Sequence, residues 1–296
     1  MTNLFEVASG SIVGTDHIGA SQILVGKNNQ DSLWVSTGPE YLVAVVCDGC
    51  GKGEHSETGA QLGARILSVK LSELAQRWAG TDFKKMSGCI AQALERAKQD
   101  TLAQLRVLAL SMGDSLSEVV QDYFLFTVMA TVITPCWTVI FSRGDGVFGL
   151  NEHVEILDSG ENNEPAYLSY NLTGSALVEN NPELLNFEVQ RFLRTENVSK
   201  ILIASDGAAE FEKISGKNVP GKQELAGRLE QFFDDRYFSN PCSLKGRLVL
   251  LNSRKILLGK TGNGLETEHG LLHDDTSIVV IRRKAAKERT TACTEK

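Results

Sequence analysis

The sequence predicts an α+β fold in which antiparallel sheet is covered on its outside by helices. Three observations lead there. The segments run in the order strands, two helices, strands, two helices, one strand. Hairpin-like pairs outnumber strand–helix–strand units, which disfavours a doubly wound parallel sheet. The run VAVVC at 43–47 is continuously apolar, as a strand buried on both faces would be.

Residues 6–47 read as strands and turns, with strands at 32–36 and 41–47 separated by Gly38-Pro39, a turn signal. A helix is expected over 56–78, because Leu67, Leu71, Leu74, Ala75 and Trp78 form one apolar stripe. Gly59 and Gly63 predict a close approach of its first turns to a neighbour. A second helix is expected over 82–110, with Ile90, Leu94, Ala97, Leu102 and Leu105 apolar. Strands follow at 126–133 and 137–141 around Thr134-Pro135, then at 147–150 and 154–157. Residues 160–182 are polar and asparagine-rich, as in a surface loop. Further strands are expected at 187–193 and 200–204, helices at 222–237 and about 243–258, and a last strand at 276–281. No low-complexity linker or internal repeat divides the chain, so one domain is expected over 1–283, followed by a polar tail at 284–296.

The bulk composition excludes several classes. The 296 residues carry a net charge of −7, and a nucleic acid or an anionic membrane would call for a basic surface, so neither is an expected partner. No apolar run approaches the roughly 18 residues that span a bilayer. The first residues, MTNLFEVASG, lack the basic stretch and apolar core of a secretory signal. Six cysteines over this length do not make the disulfide framework of a small secreted domain, and a cytoplasmic protein with reduced thiols is expected.

One feature recurs. Asp48-Gly49 follows VAVVC, Asp145-Gly146 follows TVIFSRG, Asp206-Gly207 follows ILIAS, Asp274-Asp275 precedes TSIVVI, and Asp31 precedes SLWV. Asp-Gly is a common hairpin turn, since both residues tolerate positive φ. At 48 and 206, however, the following residues do not return as a hairpin: one continues into a glycine-rich loop and a helix, the other into AAEFEK, which reads as a helix start. If these strand ends converge, the carboxylates repel unless they are protonated or hold cations. Oxygen-only ligands favour hard ions such as Mg²⁺ and Mn²⁺, and two such ions activate water and stabilise a phosphoryl transition state.

Other motifs carry less. Cys47-Asp48-Gly49-Cys50 is a CxxC pair, but Cys47 ends an apolar strand rather than starting a helix, and no second pair supplies the four ligands of a zinc site. Gly51-Lys52 fails as a phosphate loop, which would need Gly at 46 and Ser or Thr at 53, where Val46 and Gly53 stand. Ser56 is expected to cap the helix that follows His55, with Glu57 in its first turn. His273 is expected on a solvent-facing turn, His17 and His153 as ordinary strand or turn residues, and Trp34, Trp78 and Trp137 in the core. Asp234-Asp235-Arg236 reads as a solvated helix end.

Taken together, NNQDS (28–32), VVCDGCGKG (45–53), SRGDG (142–146), ASDG (204–207) and DDTSIVVI (274–281) resemble the metal-dependent Ser/Thr protein phosphatases of the 2C type, most closely the bacterial branch. The likeness spans roughly 8–283. It implies a four-layer α-β-β-α sandwich, two antiparallel sheets each flanked by a pair of helices. It also implies two Mg²⁺ or Mn²⁺ ions: Asp48 bridging them, the Gly49 carbonyl on the second, Asp206 and Asp274 on the first, and Asp31 on metal-bound water or at the site's edge. Asp145 with Asp206 matches the position of a third, weaker metal. Catalysis is then expected from Asp31, Asp48, Asp206 and Asp274, through in-line attack of water on phosphorus without a phosphoenzyme.

The chain departs from the family pattern at four places. Gly26 stands where many members carry a phosphate-binding arginine, and the adjacent Lys27 is the candidate substitute, a point charge without arginine's fork. Cys50 stands where some relatives place a histidine acid, Gln30 where an acid is common, and Gly146 where serine is common. The resemblance implies a cytoplasmic, monomeric signalling hydrolase, acting on phosphoserine or phosphothreonine in a protein substrate and paired with a Ser/Thr kinase. Two alternatives stay open, a non-catalytic phosphoprotein-binding or regulatory homologue and a phosphatase of small phosphate esters.

Overall fold

The computed structural model describes residues 1, 3–18, 27–113, 115–158, 165–173, 185–258 and 265–284. Gly26, most of the 160–182 loop and the tail from 285 onward lie outside the described residues.

Two five-stranded sheets form the centre. One contains β2 (Asp31–Thr37), β3 (Leu42–Asp48), β4 (Val128–Ile133), β5 (Trp137–Arg143) and β8 (Glu188–Arg194), in the order β2-β3-β4-β5-β8. The other has the order β1-β12-β9-β6-β7, from β1 (Phe5–Ile12), β6 (Gly146–Leu150), β7 (His153–Leu157), β9 (Lys200–Ala204) and β12 (Thr276–Arg283). Every neighbouring pair is antiparallel.

Strand alternation builds three apolar layers. On β3, Leu42, Ala44 and Val46 point between the sheets, where they meet Ile201, Ile203, Val279 and Ile281. Val43, Val45 and Cys47 point the other way, onto helix α1 (Ser56–Trp78). Leu67 and Leu71 of α1 are fully buried there, and Leu94, Leu102 and Leu105 of α3 (Ile90–Met112) complete the layer. The outer face of the second sheet is covered by Leu244, Leu248 and Leu251 of a nine-residue helix (Ser243–Leu251), with Phe211, Phe232 and Tyr237.

The predicted four-layer α+β sandwich is therefore present, with differences at its margins. The expected helix over 82–110 is broken into α2 (Phe83–Ser87) and α3, with Asp82 capping α2 by accepting from the Lys84 amide at 2.8 Å. The segment 222–237 forms only 3₁₀ turns (Leu229–Phe233 and Asp235–Tyr237), and Gly227 interrupts it at φ 78°. The helix expected over 243–258 ends at Leu251, and β10 (Lys255–Leu258) instead pairs with β11 (Leu265–Glu268) as a small hairpin. A helix that periodicity missed, α4 (Leu116–Tyr123), is capped by Ser115. Trp137 is buried and Trp78 packs against the same core, but Trp34 is 39% exposed, its ring covered on one face by the Arg65 guanidinium at 4.1 Å. Among the described residues no helix is long and apolar enough to cross a membrane.

The two α1 glycines do admit a neighbour. A Cβ at Gly59 would stand 2.0 Å from the Tyr123 carbonyl oxygen, and one at Gly63 would stand 2.3 Å from the Phe126 ring. This contact presses the start of α1 onto the segment that lines the acidic end of the sheets. Gly59→Ala is expected to destabilise the protein by about 1–3 kcal/mol through overpacking against backbone. Urea denaturation checks this, and an unchanged midpoint would contradict the close approach.

Candidate active site

The acidic turns meet at one end of the space between the sheets. Asp31 begins β2 and Asp48 ends β3, and the two are direct cross-strand partners, so their side chains share one face. That face is the inter-sheet face, since Leu33 and Val46, the next partners on it, belong to the central layer. From the opposite sheet, β9 runs out into Ser205-Asp206 beside the start of β12, where the Ser205 amide donates to the Ser277 carbonyl at 3.0 Å. The Ser205 hydroxyl then crosses between sheets and donates to Asp31 Oδ2 at 2.6 Å. Asp145 sits in the turn from β5 to β6, strands that belong to different sheets. Gly144 and Gly146 make that crossing at φ 87° and 137°. A Cβ at 146 would also stand 2.9 Å from the Ala204 carbonyl, so the backbone here accounts for glycine in place of serine.

The cluster is electrostatically unbalanced. Burial, with the charges of Asp275, Asp206 and Asp274, holds Asp31 well above the ordinary carboxylate range, despite the Ser205 hydrogen bond. Burial and Asp31, followed by Asp206, do the same to Asp48, although its edge opens on the pocket. The Asp206 carboxyl adjoining Asp48 adds to that rise. Asp145 is pushed up to about 7 and Asp274 to about 6, in both cases by burial first and Asp206 second. Asp31 Oδ1 and Asp206 Oδ1 are buried and accept no hydrogen bond among the described residues. Oxygen acceptors that are crowded, buried and short of donors fit a hard cation. The side chains are not pre-assembled: among the described residues, no three acidic, histidine or cysteine groups stand gathered as ligands of one ion.

The loop after β3 is held by backbone pairing. The Thr127 amide donates to the Asp48 carbonyl at 2.8 Å and the Cys50 amide to the Leu125 carbonyl at 2.9 Å. Gly49 is required here, because a Cβ would stand 2.7 Å from the Gln30 carbonyl and 2.9 Å from Ser56. Gln30, where an acid was the family expectation, is buried and donates from Nε2 to Ser56 Oγ at 2.6 Å. Ser56 is thus the buried first residue of α1 rather than its cap, a position His55 holds without a side-chain capping bond. Lys27 donates from Nζ to the Gly51 carbonyl at 2.5 Å and is not among the residues lining the pocket, whereas Lys52 is. Burial pushes the Cys47 thiol up, consistent with strand core rather than redox chemistry.

Asp48, Gly49, Asp145, Asp206 and Asp274 open onto a cavity of about 580 Å³. Its opposite wall comes from Val120 and Gln121 of α4 and from Tyr167 and Tyr170, whose rings meet edge-on at 5.5 Å. Three contributors were given no role by the motifs. Tyr167 is in hydrogen-bond contact with Cys50, and burial raises its phenol far above the usual range. Asp275, next to Asp274, is buried and accepts from the amides of Gly14 and Gln30 at 2.7 and 2.5 Å. His17 lines the cavity with its Nδ1 3.0 Å from Asp275 Oδ1, so it is not the ordinary turn residue expected. His273 does face solvent. A DD pair before a strand and an isolated histidine are the only traces these groups leave in the sequence.

Two antiparallel sheets thus meet at one open end, where the acidic turns gather. A sequence model described as Protein phosphatase 2C matches residues 18–242, and the chain belongs to that family. No curated protein matches it by sequence. Among solved structures, it resembles a bacterial serine phosphatase bearing an arginine substitution, at 12% identity and a TM-score of 0.52, over 94% of this chain and 98% of that one. It also resembles a C. elegans sex determining protein at 12% identity and a TM-score of 0.51, covering 94% of this chain and 64% of that one. The catalytic domain of the serine threonine protein phosphatase PstP, in complex with 2 manganese ions, aligns at 15% identity and a TM-score of 0.49, over 95% and 99% of the two chains. The first two likenesses establish a shared fold.

The raised carboxyls set a pH dependence whose sign follows from linkage. The folded, metal-free state holds protons on Asp145 and Asp274 that the unfolded chain releases at ordinary carboxylate values. Their stabilising contribution is therefore complete below about pH 4 and is lost as the pH rises through about 6 to 7. In chelator, Asp145→Asn is expected to gain melting temperature relative to wild type as the pH climbs from about 5 to about 8. A difference that stays constant across that range would contradict the crowding.

Proposed function

We propose that the protein hydrolyses phosphoserine and phosphothreonine monoesters in protein substrates, with two Mg²⁺ or Mn²⁺ ions held at the acidic end of the sandwich. The observation that carries this reading is the convergence of Asp31 and Asp48 from one sheet with Asp206 and Asp274 from the other, leaving buried carboxylate oxygens without donors. Membership of the protein phosphatase 2C family supports it.

In this reading Asp48, the Gly49 carbonyl, Asp206 and Asp274 would hold the two ions, and Asp145 with Asp206 would offer a third, weaker position. Asp31, fixed by Ser205, would orient the site from its buried side. When bound, the ions lower the pKa of water and neutralise charge on the phosphoryl oxygens. The chain does the rest. Gly49 lets the Asp48 turn lie against Gln30 and Ser56, which fixes the Asp48 carboxylate relative to Asp31. The open cavity admits an extended phosphorylated side chain, and Lys52 at its edge offers positive charge to the phosphate in an otherwise acidic surface. Lys27 acts on substrate through the loop it ties at Gly51, short of direct contact in the geometry described. A Ser/Thr kinase supplies the phosphorylated substrate, and the protein works as a monomer in the cytoplasm.

The test is hydrolysis of an aryl phosphate and of a phosphothreonine peptide with Mn²⁺, with chelator, and with Asp48→Ala. Activity is expected with Mn²⁺, none in chelator, and a loss of roughly 10²-fold or more in the variant. Full activity in chelator or in Asp48→Ala would sink the metal-dependent mechanism.

A further inference from the structure

We infer that His17 is the proton donor to the leaving group, held for that role by Asp275; this rests on the phosphatase reading above. The residue after Gly49 is Cys50, so the loop offers no imidazole where some relatives carry one. Among the described residues lining the cavity, His17 is the one imidazole, and it shares that cavity with Asp48, Asp206 and Asp274. Its side chain is only 16% exposed.

The histidine is oriented from behind. Nδ1 lies 3.0 Å from Oδ1 of Asp275, a carboxylate that is 3% exposed. That carboxylate is itself immobilised, because Gly14 donates to Oδ1 at 2.7 Å and Gln30 donates to Oδ2 at 2.5 Å. Asp275 thus ties the turn carrying His17 to the strand entrance carrying Asp31. A carboxylate that takes Nδ1–H fixes the tautomer and the ring plane, leaving Nε2 as the working nitrogen. Nε2 makes no hydrogen bond among the described residues. The other charged groups around this turn include Asp274, on the cavity side, Asp16 with His273, which pair at 3.4 Å on the exposed side, and Glu210, which accepts from the His273 amide at 2.6 Å.

The step balances as follows. A water oxygen forms a bond to phosphorus and releases a proton to solvent, while the bond from phosphorus to the seryl or threonyl oxygen breaks. The departing oxygen keeps that electron pair and takes the proton from Nε2 of the doubly protonated ring. Serine or threonine and inorganic phosphate result, and the neutral ring regains a proton from solvent. An alkoxide leaving group needs this proton, whereas a nitrophenolate does not.

The experiment compares wild type and His17→Ala, both loaded with Mn²⁺, on a phosphothreonine peptide and on p-nitrophenyl phosphate. The variant is expected to lose roughly 10²–10⁴-fold in kcat on the peptide and less than about tenfold on the aryl ester. Added imidazole is expected to restore part of the peptide activity alone. His17→Gln, which keeps a polar side chain in the turn, should show the same split, and melting curves of both variants confirm folding. Equal losses on the two substrates in both folded variants, or a loss on the peptide that imidazole leaves untouched, overturn the assignment. A wild-type protein that hydrolyses neither substrate overturns the phosphatase reading and this one with it, whereas an active wild type with equal losses overturns this one alone.

Discussion

Mutual repulsion among carboxylates at one end of the sheet interface is the constraint on which the rest of the structure depends. Five aspartates, from Asp31 to Asp274, are brought together there: burial penalises the charge of Asp31, Asp48, Asp145 and Asp274, and the charge of Asp206 raises all four. Such an arrangement lowers stability unless protons or cations compensate. The fold tolerates it because the three apolar layers behind it are continuous, so the penalty is confined to the open end.

Backbone geometry determines where each carboxylate stands. Gly49 permits the Asp48 turn to lie on Gln30 and Ser56, and Gly207 permits the Asp206 turn to lie on Asp275, whose carbonyl oxygen would be 2.1 Å from an added Cβ. Gly144 and Gly146 carry the chain between sheets at positive φ. Few side chains link the turns: Ser205 joins the sheets through Asp31, and Asp275 joins the β1–β2 connection to the start of β12. The site is a set of strand ends stitched by a serine, a glutamine and an acid, so its precision comes from the sheets rather than from any one loop.

Elements with a long apolar period were legible in the sequence. The helix at Ser56–Trp78 was legible because its apolar stripe runs from Leu67 to Trp78, about three turns, and the strands were marked by VAVVC, ILIA and TSIVVI. Short elements were not. Eight residues of α4 give too little period to detect, and KILL at Lys255–Leu258 is apolar in a way that suits a helix or a strand. The aspartates of the site were legible because Asp-Gly at a strand end leaves a mark. The roles of His17 and Asp275 were not, since they meet across 258 residues of chain and only the pairing of β1 with β12 brings them together. Lys27 shows the opposite failure: its charge was legible, but its bond to the Gly51 carbonyl depends on a loop contact that no local pattern encodes.

Whether the acidic end is a cation site is open to direct observation. Anomalous scattering from crystals grown with Mn²⁺ would locate each ion without reference to activity. Two peaks within ligand distance of Asp48, one also beside Asp206 and Asp274, are the result this account predicts. Crystals that diffract well, contain Mn²⁺ in solution, and show no peak among these carboxylates would contradict it.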